Sequence, residues 1–167
     1  MVNLMTNVKY AEKFATVLFI AAISLAAANA LAEEIASEHG SDHHKNVVGI
    51  FAGLAHGGLR QNELAIGVEY ARHIRGNFSI GAVAEYTAGD ADFWVFVIPF
   101  AYNLGDWKIY AGPGIEDGHH GKEELLRLGV ERPFEMSGGW EISPQLNVDF
   151  VDGEVVWIIG ALFARRF

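Results

Sequence analysis

From residue 46 onwards, apolar and polar side chains alternate along the chain with a period of two, which is typical of β-strands. The segments are spaced by 14 to 17 residues, which fits strands of about 10 residues joined by short turns. No helical period of 3.6 interrupts the series. The pattern predicts an all-β, eight-stranded antiparallel up-and-down barrel. Its strands start near Asn46, Asn62, Phe78, Phe93, Trp107, Glu124, Trp140 and Glu154.

Turn residues separate the segments. Asp152-Gly153 is a strong two-residue hairpin signal between the last two strands, and an even strand number lets strand one pair with strand eight, which removes both edges. Prolines inside strands remove ladder donors, so we expect local bulges around them. The four are Pro99, Pro113, Pro133 and Pro144.

The bulkiest side chains decide which face of the barrel is outside. An eight-stranded barrel has an interior only just wide enough for side chains. The aromatic-rich face of strand four, which includes Trp94, Phe96 and Phe100, is too bulky for it. The opposite faces are small or charged, as in Glu69 and Asp149. Apolar residues outside and polar residues inside predict a transmembrane barrel.

Aromatic side chains concentrate at both ends of the predicted strands. Two such girdles are typical of proteins anchored at the two membrane interfaces. The predicted girdles are Phe78, Tyr102, Trp107, Phe134, Trp140 and Phe167 at the periplasmic end, and Tyr86, Trp94, Phe150 and Trp157 at the other.

Residues 1–32 have the pattern of a cleaved secretory signal peptide. Lys9 and Lys13 precede an apolar run, and Ala30-x-Ala32 is a small-residue cleavage site. The alternatives are cleavage after Ala30 and an uncleaved helical anchor. Residues 33–45 then form a polar periplasmic tail, and residues 46–167 form the barrel. Export to the bacterial outer membrane is the predicted localisation.

Composition restricts the partners. The formal charge is −9, which argues against nucleic acid or anionic surfaces as partners. Cysteine is absent from the 167 residues, so the chain has no disulfide or thiolate metal site. No cofactor is expected.

The predicted lumen face carries charges of both signs. Isolated buried charges are very costly in a narrow barrel, so we expect a network of salt bridges that plugs the lumen. A gated ion or small-solute path lined by acidic groups is the alternative. The expected members are Glu69, Glu85, Lys108, Glu116, Arg127, Glu131, Glu141, Asp149 and Arg166.

Histidines form two clusters with neighbouring carboxylates, and imidazole and carboxylate can bind zinc, copper or nickel. Their positions in a flexible tail and loop favour solvated polar segments instead. The candidate ligands are His39, His43 and His44 in the tail, and His119 and His120 in the longest loop.

Enzymatic activity is not expected. The barrel serines Ser79, Ser137 and Ser143 belong at the periplasmic end, whereas His56 and the loop histidines belong at the other. On that placement no serine–histidine pair forms across the membrane thickness.

The signal peptide, the eight amphipathic strands and the terminal Phe167 resemble small outer-membrane β-barrel proteins of Gram-negative bacteria, such as the transmembrane domain of outer membrane protein A. The resemblance implies a last strand that the barrel-assembly machinery recognises, with Gly160, Phe163 and Phe167 matching that signal. Arg165 departs from it, and we expect its side chain to extend to the headgroups. The resemblance also implies periplasmic chaperones, outer-membrane lipid and lipopolysaccharide as partners.

These observations together predict a membrane barrel with a structural role in the envelope or a modest surface interaction. A small-solute or ion channel is the alternative, and metal binding by the histidine clusters is a third hypothesis.

Overall fold

The computed structural model describes residues 45–58, 60–89, 92–118 and 121–167. The predicted signal peptide, and the predicted tail except Lys45, lie outside these ranges. Within them, no helix is long and apolar enough to cross a membrane. The strands are β1 (Asn46–Gly57), β2 (Arg60–Arg75), β3 (Phe78–Ala88), β4 (Phe93–Val97), β5 (Phe100–Leu104), β6 (Trp107–Gly118), β7 (Gly121–Glu131), β8 (Phe134–Glu135), β9 (Trp140–Val151) and β10 (Glu154–Arg166), with a 3-10 turn at Ser137–Gly139.

The described strands form a closed antiparallel barrel with eight walls. β4 and β5 together make one wall, since both pair with β3 and β6. β7 and β8 make another, since both pair with β9. The seam between β1 and β10 runs from Val47–Arg166 to His56–Trp157 and closes the barrel. The predicted fold is confirmed, although β2 and β7 start a few residues earlier than predicted.

The two ends of the barrel are built differently. The terminal end holds Lys45, Phe167 and the turns at 76–77, 105–106 and 136–139. The far end holds the strand ends at Gly57, Arg60, Ala88, Phe93, Gly118 and Gly121 and the turn at 152–153. The hairpin at 152–153 places Asp152 at φ 45° and Gly153 at φ 78°, the left-handed pair that a tight hairpin turn requires.

Prolines interrupt strands without creating bulges. β4 ends before Pro99 and β5 begins after it, yet the flanking pairs Val97–Gly114 and Phe100–Ala111 keep one register. The predicted bulges are therefore wrong at these sites: the walls lose ladder hydrogen bonds and no residue is inserted. The same register continuity spans Pro133, between Glu131–Gln145 and Phe134–Ile142.

Register shifts occur instead near both ends of β2. One lies opposite Ala55 and His56, beside Asn62 at φ 59°, and the other lies between His73 and Arg75. Bulges of this kind increase the local twist and terminate pairing at barrel rims.

The predicted division of faces is confirmed by exposure. Glu141, Ser143, Gln145, Asn147 and Asp149 on β9 are all buried. The opposite face of β9 carries exposed hydrophobic side chains, and every other wall also has exposed hydrophobic side chains on its outward face. A continuous apolar outer surface of this kind marks an interaction with lipid or protein. Examples are Leu54, Leu64, Phe78, Ile98, Phe100, Leu128, Ile142, Phe150, Ile159 and Phe163.

Aromatic rings on the outward-facing side of the strands meet in pairs near both ends. At the terminal end Trp140 stacks on Phe163 with 4.9 Å between centroids. At the far end Tyr86 lies 5.2 Å from Trp94, and its hydroxyl donates to Asp92 Oδ1 at 2.7 Å. Side chains with an apolar body and a polar tip suit a boundary between lipid and water.

Part of the lumen is filled by apolar side chains over glycines. Phe51 is fully buried, and a Cβ added to Gly160 would lie 2.5 Å from its ring. The Tyr110 ring covers Gly129 in the same way, since a Cβ added to Gly129 would lie 2.2 Å from that ring. The glycines therefore make room for inward aromatic rings.

Candidate functional site: the charged lumen network

Strand alternation directs the predicted charged residues into the lumen. Glu85 on β3, Arg127 and Glu131 on β7, and Glu141 and Asp149 on β9 are each at most 3% exposed. Side chains at alternate positions of a strand share a face, so several walls direct charged groups to the same interior. The lumen network consists of three connected clusters of these groups.

The first cluster is centred on Arg127. Its Nε and Nη2 donate to Asp149 Oδ1 and Oδ2, each at 2.7 Å. Its Nη1 and Nη2 also donate to Glu85 Oε2 and Oε1 at 3.1 and 3.2 Å. Asp149 is the cross-strand neighbour of Arg127, but Glu85 is three walls away. One guanidinium therefore joins two carboxylates across the barrel interior.

The second cluster surrounds Glu131. Lys108 Nζ lies 2.6 Å from Glu131 Oε1, and Gln145 Nε2 donates to Glu131 Oε2 at 2.9 Å. The same Nε2 approaches Glu69 Oε2 at 3.3 Å. Glu69 is on β2, three walls from β9, so this cluster also crosses the lumen.

Tyr110 extends the second cluster. Its hydroxyl donates to Asn147 Oδ1 and lies 3.5 Å from Gln145 Oε1. Asn147 is 1% exposed, so the hydroxyl satisfies a buried acceptor.

The third cluster lies at the terminal end. Arg166 Nε donates to Glu141 Oε2 at 2.6 Å, and its Nη1 donates to Glu135 Oε1. This arginine side chain is 30% exposed and that of Glu135 is 71% exposed. The cluster is consequently wetter than the other two.

Glu116 and Ser143 are two further side chains that face the lumen. Glu116 on β6 is 4% exposed and also faces the lumen. Ser143 is fully buried and its Oγ has no hydrogen-bond partner. A buried unpaired hydroxyl is uncommon in folded proteins.

Sequence reasoning missed some members of the network. Gln145 and Asn147 share a face of β9 with Glu141 and Asp149, but the predicted network contained charged residues alone. Tyr110 follows Lys108 by two residues and Glu135 follows Glu131 by four, so the same alternation places both inside. Extending the period-two pattern to uncharged residues and past Pro133 would have found them.

The predicted metal ligands His39, His43, His44, His119 and His120 lie outside the described residues. Within the described ranges, no three histidine, aspartate or glutamate side chains are grouped to hold a metal ion. Metal binding by those histidines stays a prediction.

The predicted separation of serines from histidines is wrong at one position. His73, which the prediction did not include, lies directly opposite Ser79 in the register of β2 and β3. In the described part of the chain, no hydrogen bond joins these two side chains, and no carboxylate is bonded to this histidine. The pair lacks the base–orienter geometry of an activated nucleophile.

The three residues of the predicted assembly signal face different ways. Phe163 is 49% exposed on the outer surface, whereas Gly160 faces the Phe51 ring inside. Phe167 N donates to Asn46 O at 2.9 Å, and Asn46 N donates to Phe167 O at 3.0 Å. Phe167 is therefore part of the barrel seam.

Similarity to known proteins lies in the fold. No family model matches the sequence, and no curated protein matches it. Neisserial surface protein A has a similar crystal structure, with a TM-score of 0.53 at 11% identity over 75% of this chain and 98% of that one.

Two further solved structures have the same architecture. The N-terminal β-barrel domain of Pseudomonas aeruginosa OprF has a TM-score of 0.51 at 11% identity, over 72% of this chain and 98% of that one. A designed transmembrane β-barrel has a TM-score of 0.51 at 10% identity, over 75% of this chain and 99% of that one. The fold of this chain is thus that of the small, closed, eight-stranded outer-membrane barrels.

Proposed function

We propose that this chain is an integral outer-membrane barrel with a sealed lumen and a structural or surface-interaction role in the envelope, without enzymatic activity. Support for membrane insertion comes from the continuous apolar outer surface and the aromatic pairs at both ends. The closed sheet satisfies the backbone hydrogen bonds that lipid cannot satisfy. The short connections at the far end leave little surface for a large ligand.

The observation that carries the sealed-lumen proposal is the bridge from Glu85 through Arg127 to Asp149. All three side chains are at most 3% exposed, and the bridge joins walls that are not neighbours. Breaking such a buried pair costs about 3–5 kcal/mol. Opening a path past the Glu85–Arg127–Asp149 bridge requires this free energy, so the resting barrel does not conduct.

Conductance in planar bilayers tests the seal. The wild-type barrel should insert without producing discrete current steps. The triple variant E85A/R127A/D149A removes the bridge together with its charges and should produce small steps if the bridge is the barrier. Arg132→Ala, outside the lumen, is the matched control and should stay silent.

An ion or small-solute channel is the second candidate function. The predicted lumen set contains six carboxylates and three basic groups, which favours cations over anions. Reproducible cation-selective steps from the wild-type barrel would establish this function and contradict the seal.

The proposal extends to orientation and partners. The N-terminal tail would be periplasmic, so that the terminal end faces the periplasm. Periplasmic chaperones would carry the chain, and the barrel-assembly machinery would engage β10. The far end would then meet lipopolysaccharide in the outer leaflet.

A further inference from the structure

Three arginines face outward at the terminal end of the barrel, where the apolar outer surface stops. Arg72 follows Tyr70 on β2, Arg132 follows Val130 beyond β7, and Arg165 follows Phe163 on β10. Alternation places all three on the outer face, in contact with whatever surrounds the barrel. We call these three residues the arginine belt.

Aromatic rings hold two of the belt guanidiniums in place. Arg165 Cζ lies 5.6 Å from the centroid of the Trp140 ring. Arg132 Cζ lies 5.6 Å from that of Trp107 and 5.1 Å from that of Phe134. At these distances the electron-rich ring face attracts the guanidinium, and this contact uses none of its N–H donors in a hydrogen bond to a carboxylate.

The belt has few acidic partners among the described residues. Arg132 Nη2 lies 3.5 Å from Asp106 Oδ2, and these side chains are 43% and 79% exposed. No ion pair involves Arg72 or Arg165 in the described part of the chain. An exposed pair at that distance contributes little, so most of the fifteen N–H donors of the belt, five per guanidinium, are free for an anion.

Charge is distributed unequally between the ends. The terminal end adds exposed Lys45 and Arg75 to the belt. The described far end is acidic, and Lys122 is the basic side chain that the structure describes there. It pairs with Asp117 at 3.8 Å. The acidic side chains around the far end are Asp92, Asp117, Glu123, Glu124, Asp152 and Glu154.

We propose that the arginine belt binds the phosphates of anionic phospholipids in the leaflet that surrounds the terminal end. Guanidinium is a planar fork that binds phosphate oxygens in pairs, and the flanking tryptophans occupy the headgroup boundary. A zwitterionic headgroup brings its own cation and is favoured less. We assign the bound phosphate to a lipid, and not to free phosphate, because the belt adjoins the apolar outer surface on which acyl chains lie.

This proposal rests on membrane insertion, and tryptophan quenching by brominated lipids tests the two separately. One variant, W94F/W107F/W157F, keeps Trp140 beside Arg165. The matched variant, W94F/W107F/W140F, keeps Trp157 near the far end. Each is reconstituted into vesicles of equal phosphatidylglycerol and phosphatidylcholine, in which either lipid carries the bromines.

Trp140 should be quenched more by brominated phosphatidylglycerol than by brominated phosphatidylcholine. A basic residue near an anionic surface contributes about 1 kcal/mol, so the expected enrichment is on the order of fivefold for each contacting arginine. Trp157 should show no such preference. Millimolar inorganic phosphate should leave the enrichment in place, since the lipid is held by its chains as well.

Substitution of the belt supplies the specificity control. Adding R72Q/R132Q/R165Q to the Trp140 variant should reduce the preference to about one. The lysine version of the triple substitution keeps the charge, loses the planar fork and should retain part of the preference. Heat-modifiable gel migration verifies that each variant is folded.

Three results would overturn the belt proposal: equal quenching of Trp140 by the two lipids, equal preference at Trp157, or an unchanged preference in the glutamine variant. Displacement by millimolar phosphate would also overturn it, since the site would then bind free phosphate. Absence of quenching by either lipid, in contrast, would show that the barrel does not insert and would contradict the proposed function itself.

Discussion

Arg127 is the single side chain on which the lumen network most depends. Replacing it by methionine leaves Glu85 and Asp149 buried without a counter-charge. We expect Arg127→Met to lower the free energy of unfolding by about 3–5 kcal/mol, measured by urea unfolding in detergent micelles.

Two controls separate charge from packing at this site. R127M/E85Q/D149N removes the uncompensated carboxylates and should recover much of the loss, because neutral groups cost less to bury. Arg132→Met, at an exposed pair, should cost at most about 1 kcal/mol. An R127M barrel as stable as R132M would rule out the bridge as a stabilising element.

Gly129 is the second residue-scale test, because its missing side chain admits the Tyr110 ring. A Cβ at Gly129 would lie 2.2 Å from that ring and 2.4 Å from Asn147 Oδ1, both side-chain atoms. We expect Gly129→Ala to cost about 1–3 kcal/mol by overpacking. In a Tyr110→Leu background the same change should cost clearly less, and equal costs in both backgrounds would show that the ring is not the obstacle.

At the scale of the strands, the seam distinguishes two roles of Phe167. Phe167→Ala keeps the two backbone hydrogen bonds to Asn46 and removes the ring, whereas deletion removes both. If the ring is the assembly signal, both changes should reduce outer-membrane insertion in cells several-fold, while purified F167A should refold in micelles like wild type. If insertion is lost on deletion of Phe167 but kept in Phe167→Ala, the residue acts through its backbone in the seam. That result would contradict the assembly-signal hypothesis.

The strands and their inward faces were predictable because polar and apolar residues alternate along the sequence, as they do in β9 from Glu141 to Asp149. The pair Arg127–Asp149 also follows from strand order. Glu85 does not, because a contact across three walls depends on barrel stagger, which the sequence pattern leaves open. The proline bulges were predicted wrongly because a missing donor need not insert a residue.

At the scale of the whole molecule, the apolar outer surface determines the solvent that the barrel requires. We expect the chain, after removal of residues 1–32, to stay in solution only with detergent or lipid. Unboiled samples should migrate differently from boiled ones on a denaturing gel, since closed barrels resist detergent unfolding. A chain that is monodisperse in plain buffer would contradict membrane insertion.

The seam between β1 and β10 has a consequence for the time course of folding. Every other wall pairs with its neighbour in sequence, but this seam joins positions that are 101 to 119 residues apart. Contacts of such high order form slowly, because a long loop must close before they contribute. The barrel therefore cannot close until residues 154–166 have been synthesised. Until then β1 and the last completed wall are open sheet edges that invite aggregation.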